Sequence, residues 1–229
     1  MTTGPTVRGV LLDFSGTLFR LEINENWQPA PGIDPLDVEA QEQILRAMTA
    51  PVEPTFELPA ELRADWARRD IEPDVHRRVN IAVLQAAGIA NAQIAEAFYD
   101  RLIDPTSWQP YPDTRAALER LRAARVPIAI VSNIAWDIRR VFDRFGLTDL
   151  VDEFVLSYLE GVVKPDPKIF QTACERIGVP PAEALMIGDS AEADGAATAI
   201  GARFALVPPL PTAERTSALL DAITEHGLA

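Results

Sequence analysis

Several polar side chains in this chain stand where short apolar runs end. Asp13 follows VRGVLL (7–12), Ser132 and Asn133 end VPIAIVSN (126–133), and Asp189 ends the run in EALMIGDS (183–190). Asp194 lies five residues beyond Asp189, and Lys164 stands in GVVKPDPKIF, after the run EFVLSY (153–158). A carboxylate at a strand end is well placed to act as a nucleophile. Taken singly, each residue has a plainer use, such as an aspartate capping the helix that follows. Together they would bring a carboxylate, a hydroxyl, a lysine and two more carboxylates to one crevice, because open α/β sheets bind ligands outside the carboxyl ends of their strands. Lys164 is also compositionally unusual: Lys164 and Lys168 are the only lysines among 21 basic residues. An ammonium on a flexible stem is not physically interchangeable with the planar guanidinium used elsewhere in the chain.

The elements that must position these groups are readable from periodicity. Five apolar runs of strand length (7–14, 126–133, 153–158, 183–190 and 202–209) are apolar almost throughout, as strands buried on both faces of a parallel sheet would be. Helical patterns lie between them. TRAALERLRAAR (114–125) places Ala117, Leu118, Leu121 and Ala124 on one stripe, and DIRRVFDRFG (137–146) aligns Ile138, Val141, Phe142 and Phe145. PKIFQTACERIG (167–178) opens with proline and closes with glycine, as helices do. Alternating strands and helices predict an α/β fold with a doubly wound parallel sheet.

Residues 20–108 break that alternation. Pro29, Pro31 and Pro35 read as loop, and helical patterns follow over 36–48, 59–69, 73–87 and 91–103. The expected organisation is a core of 1–19 and 109–229 with an inserted all-helical subdomain at 20–108, rejoined through the hinge QPYPD (109–113). The insert has no lysine and twice as many acidic residues as arginines.

Composition narrows the partners. The 229 residues are 48% hydrophobic and 24% charged, with a formal net charge of −13. That charge argues against nucleic acid and anionic lipid surfaces, which need clustered Lys and Arg. A small phosphorylated substrate stays open, since one local cation can outweigh the global charge. No leader pattern and no apolar run of about 18 residues is seen, so the expectation is a cytoplasmic protein without a membrane span. The single cysteine, Cys174, reads as a small buried helix residue.

The motifs DFSGT (13–17), Ser132 at a strand end, Lys164 in KPDPKIF and GDSAEAD (188–194) resemble, in order and spacing, the four motifs of the haloacid dehalogenase superfamily. The insert between the first and second is similar to that superfamily's helical cap. The resemblance implies that Asp13 attacks phosphorus and forms an aspartyl phosphate. It implies a Mg²⁺ ion held by Asp13, the main-chain carbonyl of Ser15, Asp189 and Asp194. Ser132 and Lys164 would bind the transferring oxygens with Asn133 beside them, and Thr17 would fix the turn below the nucleophile.

One departure stands out. The family's phosphatases carry a second aspartate where this chain has Ser15, and that residue is their general acid and base. A serine hydroxyl cannot do this near neutral pH, and losing a positioned acid/base costs roughly 10²–10⁴ in rate. The similar DKTGT of ion-transport ATPases also has a hydroxyl residue there, with a good leaving group. A residue of the insert could supply the missing group, with Glu22, Glu25 and His76 as candidates, His76 otherwise reading as a helix-surface residue. Dehalogenation by attack on carbon is an alternative, with Arg20 as a halide or carboxylate site, although that branch lacks the Asp189 carboxylate. An imine-forming branch needs a cap lysine, which is absent. A non-catalytic binding protein on the same fold is the alternative from another class. For substrate recognition, Arg68-Arg69 and Arg77-Arg78 offer at most one cation per pair toward a crevice, and solvated ion pairs are the expected state. Trp136 is the best aromatic wall, with Trp27 and Trp108 expected in the core.

Overall fold

The computed structural model describes residues 6–22, 44–45, 48–49 and 58–228. Five strands form one parallel sheet: β1 (Gly9–Leu12), β4 (Ile128–Ser132), β5 (Glu153–Leu156), β6 (Ala184–Gly188) and β7 (Arg203–Leu206), in the order β5-β4-β1-β6-β7. β1 is central. Its Leu12 pairs with Ile130 of β4 and Ile187 of β6, so the chain leaves all three strands side by side.

Strand periodicity accounts for the two cores. Val10, Leu12, Ile128, Ile130, Leu185 and Ile187 face one side, against α4 (Thr114–Ala123), α5 (Arg139–Arg144) and α8 (Ala218–Glu225). Leu11, Ala129, Val131 and Met186 face the other, against α7 (Pro167–Arg176) and the 3-10 turn Gly195–Ile200. β1, β4 and β6 are buried throughout, as the sequence predicts. The edges differ. Glu153 and Phe154 of β5 are half-buried, and β7 ends on an exposed Leu206, because an edge strand has a neighbour on one side only. Cys174 is buried in α7, and burial pushes its thiol up to about 11, which suits packing rather than reactivity.

Between β1 and β4 the chain forms α1 (Ala60–Trp66), α2 (Pro73–Ala86) and α3 (Ala92–Leu102). Pro73 opens α2, and the Asn91 side chain caps α3 by accepting from the N–H of Gln93 at 2.9 Å and Ile94 at 3.4 Å. Leu58, Trp66, Val75, Val79 and Val83 make a small core of their own. An antiparallel ribbon joins this segment to the sheet domain: β2 (Phe19–Leu21) pairs with β3 (Trp108–Pro110), Phe19 opposite Pro110 and Leu21 opposite Trp108. Pro29, Pro31, Pro35, Glu25 and Trp27 lie outside the described residues, as does most of the 36–48 pattern. Of that pattern, Ile44, Leu45 and Met48 are buried. Among the described residues no helix is long and apolar enough to cross a membrane.

Candidate active site

The carboxyl ends of β1, β4 and β6 open into one cavity, roofed by the helical segment. Asp13, Ser15, Ser132, Asn133, Lys164, Asp189 and Asp194 all line it. The five groups expected to converge therefore do. Lys164 is 4% exposed and its Nζ lies 2.6 Å from Asp13 Oδ1 and 2.6 Å from Asp194 Oδ1. Asn133 spends its amide on the Lys164 backbone: Nδ2 donates to the carbonyl at 2.9 Å and Oδ1 accepts the N–H at 2.7 Å. That fixes the Lys164 turn against the end of β4.

The electrostatics are those of an anion cluster. Burial pushes the Asp13 carboxyl up to about 6; Lys164 opposes the rise and Asp194 adds to it. Burial, then the charges of Asp13 and Asp194, pushes Asp189 up to about 8. Burial disfavours the Lys164 ammonium, but Asp13 and Asp194 more than offset it and hold the group above its ordinary range. Asp13, Asp189 and Asp194 each offer a ligand atom within 4.8 Å of the others. Three carboxylates against one ammonium leave negative charge that a hard divalent cation would balance.

Two glycines make room for these carboxylates. Gly16 has φ +75, and a Cβ there would fall inside the Asp189 carboxylate and 3.1 Å from Pro209 Cβ. A Cβ on Gly188 would fall inside the Asp194 carboxylate. Gly16→Ala is accordingly expected to cost on the order of 1–3 kcal/mol in stability and to weaken metal binding, measured by urea unfolding and metal titration. Unchanged metal affinity in a folded variant would show that Asp189 does not depend on this turn.

Thr17 is fully buried, but its hydroxyl has no hydrogen-bond partner among the described residues. The turn after Asp13 is tied instead by Arg215, whose guanidinium donates to the Gly16 carbonyl at 2.9 Å and to the Thr17 carbonyl, and stacks over Tyr111 at 3.2 Å. A planar fork spans two carbonyls where one hydroxyl cannot. Sequence alone does not single out Arg215; it lies 199 residues from Gly16 and no short-range pattern marks it. Asp113, expected as part of a hinge, is buried and accepts the N–H groups of Leu219 at 2.8 Å and Leu220 at 3.2 Å, capping α8 from a distance.

The roof revises several expectations. His76 is not a surface residue: it is 4% exposed, lines the cavity, and its Nδ1 sits 3.1 Å from the Tyr99 hydroxyl. Arg69 is not solvated either. It lines the cavity, pairs with Asp70 at 3.2 Å and stacks over Trp66 at 3.8 Å. Arg68, Arg77 and Arg78 form the expected exposed ion pairs, with Asp65, Glu72 and Glu96. Glu22 is not among the described residues lining the cavity and accepts from the Thr212 N–H at 3.0 Å, and Arg20 donates to the Pro209 carbonyl. Trp108 and Trp136 both form walls; Trp108 also reaches the Leu102 carbonyl through Nε1 at 2.9 Å. Ser157, the first residue of α6 (Ser157–Glu160) and one that no sequence pattern marks, donates to the Asp70 carbonyl at 2.6 Å and so ties the roof to the end of β5.

The model of the haloacid dehalogenase-like hydrolases matches residues 7–201. The chain belongs to that family. Among relatives of this haloacid dehalogenase-like hydrolase, the haloacid dehalogenase-like hydrolase domain-containing protein 3 of Mus musculus is 31% identical over 147 residues, covering 61% of this chain and 59% of the mouse protein. The ribulose-1,5-bisphosphate 5-phosphatase of Halopiger xanaduensis is 33% identical over 135 residues, covering 58% of this chain and 56% of that enzyme. The chain thus spans little more than half the length of these relatives. The solved L-2-haloacid dehalogenase of Xanthobacter autotrophicus superposes with a TM-score of 0.64 at 26% identity, covering 91% of this chain and 80% of that one. Proteins named as a phosphatase and as a haloacid dehalogenase thus both stand among those this chain is similar to.

Proposed function

We propose that this haloacid dehalogenase-like hydrolase transfers or hydrolyses the phosphoryl group of a small phosphorylated metabolite, with Asp13 as nucleophile and Mg²⁺ as its ion. The observation that carries the reading is the cluster of buried Asp13 and Asp194 with half-buried Asp189 around Lys164 at the ends of β1 and β6. A binding protein would have little physical reason to keep such a cluster desolvated. Attack on carbon needs no metal and leaves Asp189 without an ion to hold.

Asp13, Asp189, Asp194 and the Ser15 carbonyl would hold the ion. Mg²⁺ bound there would supply charge that offsets repulsion between a carboxylate nucleophile and a phosphoryl dianion. Asp13 Oδ attacks phosphorus, and Lys164 Nζ and Ser132 Oγ stabilise the equatorial oxygens as charge spreads over them. Lys164 keeps its aim because Asn133 holds its backbone. Residues 20–108 act as the cap, with 1–19 and 109–229 as the core, and the ribbon of β2 and β3 joins the two. Ser15 lines the cavity without a carboxyl group, so the expected enzyme is slow on esters with poor leaving groups.

Phosphate release from a panel of phosphate esters and acyl phosphates, with and without Mg²⁺, tests this for wild type and Ser15→Asp. Mg²⁺-dependent release is expected, with Ser15→Asp faster on alkyl esters by about 10²-fold. Halide release from 2-haloacids by a protein silent on every phosphate would establish the carbon chemistry instead. Silence on both would leave the binding reading.

The acid cluster also predicts an unusual pH dependence. Asp13 and Asp189 have folded pKa values raised from 3.8 to about 6 and about 8. The folded protein then binds more protons than the unfolded chain across that window, and stability falls as pH rises from about 4 to 8. Thermal unfolding of metal-free protein should show this fall, and saturating Mg²⁺ should reduce it by favouring the ionised carboxylates. A metal-free Tm that rises over pH 5–8 would contradict the assignment of these groups to an uncompensated cluster.

A further inference from the structure

Two ring nitrogens of residues that line the cavity have no protein partner among the described residues. Trp136 Nε1 is buried without a hydrogen bond among the described residues, which ordinarily costs about 1–3 kcal/mol. His76 makes its hydrogen bond through Nδ1 to Tyr99, and Nε2 makes none among the described residues although the ring lines the cavity. The Tyr99 hydroxyl is a natural donor to Nδ1, since burial pushes its own pKa up to about 12. With Nδ1 accepting, the imidazole proton sits on Nε2 of a ring that lines the cavity. Trp136 is held edge-on to Phe14 at 6.2 Å and tilted against Trp108 at 5.9 Å, so its indole has a fixed place beside Ser132 and Asn133.

Neither donor can deliver a proton to a leaving group. An indole N–H does not ionise in water. Burial, with help from Arg69 and against the pull of Asp70, brings His76 down to about 4, so its ring is neutral at physiological pH. Asp70, the remaining carboxylate outside the metal cluster among the described lining residues, is paired with Arg69. Ser15 brings only a hydroxyl. Among the described residues lining the cavity outside the metal cluster, Trp136 and His76 can thus grip an oxygen anion that leaves by itself, and none can protonate an alkoxide.

We propose that this half of the cavity is a subsite for a carboxylate leaving group, with Trp136 Nε1–H and His76 Nε2–H donating to its oxygens, and that the substrate class is the acyl phosphates. The inference rests on Asp13 acting as the phosphoryl acceptor. Asp13 Oδ forms a bond to phosphorus while the bond from phosphorus to the acyl oxygen breaks; the electron pair leaves on the carboxylate and no proton is required. Water then attacks the aspartyl phosphate. Asp13 departs as carboxylate, one water proton stays on the new P–O–H, and the other passes to a phosphoryl oxygen, giving dihydrogen phosphate. Both steps balance without the acid/base group that Ser15 lacks.

Acetyl phosphate and benzoyl phosphate, compared with glycerol 3-phosphate and ethanolamine phosphate, form the test, using wild type, Trp136→Phe, His76→Phe and Asp13→Asn. Wild type should show kcat/KM at least about 10²-fold higher on the acyl phosphates. Trp136→Phe and His76→Phe should each lower it about 10-fold or more there, the loss of one donor to a developing oxyanion. Calorimetric titration of the metal-free protein with benzoate adds a readout independent of turnover: affinity should fall in both variants, in folded protein checked by circular dichroism. Equal or better activity on the alkyl esters, or variants that match wild type on acyl phosphates and benzoate, overturns the subsite while the phosphohydrolase reading stands. Asp13→Asn that retains activity, or wild type silent on all four compounds, overturns the reading beneath it and the subsite together.

Discussion

Asp13→Asn is expected to abolish phosphate release, by about 10⁴-fold or more, without unfolding the protein. The amide keeps the shape of the carboxyl but removes the negative oxygen that attacks phosphorus. Loss of a covalent nucleophile leaves only the binding and electrostatic contributions of the remaining site. The fold should survive for a reason visible in the charges. Burial already raises the Asp13 carboxyl to about 6, so the ionised form is held against its preference. Removing one charge from a cluster of three carboxylates relieves that cost, and Lys164 keeps Asp194 at 2.6 Å as its partner. Equal or higher stability than wild type in metal-free buffer, together with lost activity, is the expected pair of results, read by chemical denaturation and phosphate release. This is the familiar exchange between stability and function at an active site. An asparagine variant that turns over at more than a few per cent of the wild-type rate would place the nucleophile elsewhere.

How much of this is legible in the amino-acid sequence depends on whether the signal is local. Asp13, Ser132, Asn133, Lys164, Asp189 and Asp194 stand out because each directly follows an apolar run or a recognisable turn. Strand termini in an open sheet are where ligands gather. The doubly wound order follows from the same alternation, and β1, β4 and β6 are buried as their composition requires. The residues that sequence patterns hide or misplace act across long separations. Arg215 holds the Gly16 and Thr17 carbonyls from the far end of the chain. Ser157 reaches Asp70 across 87 positions. His76 reads as a surface residue on helical periodicity, because the polar positions of α2 are indistinguishable in sequence whether they meet solvent or a cavity. Only the packing of the cap over the sheet turns His76 and Arg69 inward. For the same reason Glu22 reads as a plausible acid, although its side chain is tied to the Thr212 N–H.

Lys164→Met is the second large effect, and it tests charge rather than nucleophilicity. Methionine is of similar length and fills the space, so packing is little changed, but the ammonium that meets both Asp13 and Asp194 is gone. Stabilisation of the equatorial oxygens falls with it, and phosphate release should drop by about 10³-fold. Stability should fall as well, because removing one partner of a buried ion pair strands the other, typically at about 3–5 kcal/mol. That loss should depend on pH in a direction the groups dictate. The ammonium's folded pKa lies above its ordinary 10.5, so its stabilising contribution is fully present below that value and is lost only as pH rises past it. Between pH 5 and 8 the lysine is therefore charged throughout, and the change comes from the carboxylates. At pH 5 the stranded acids take up protons and the gap between variant and wild type narrows; at pH 8 they are more fully ionised and the gap widens. Saturating Mg²⁺ should recover part of the lost stability and little of the lost rate, since charge balance is restored at the carboxylates but not at the phosphoryl oxygens. Lys164→Arg should not rescue activity, because a longer planar fork spreads its charge over several nitrogens and does not set one point charge 2.6 Å from both carboxylates as the ammonium does. Urea unfolding of the metal-free proteins at both pH values, with phosphate release alongside, reads all of these, and a methionine variant as stable at pH 8 as wild type would show that the cluster is neutralised by something other than Lys164.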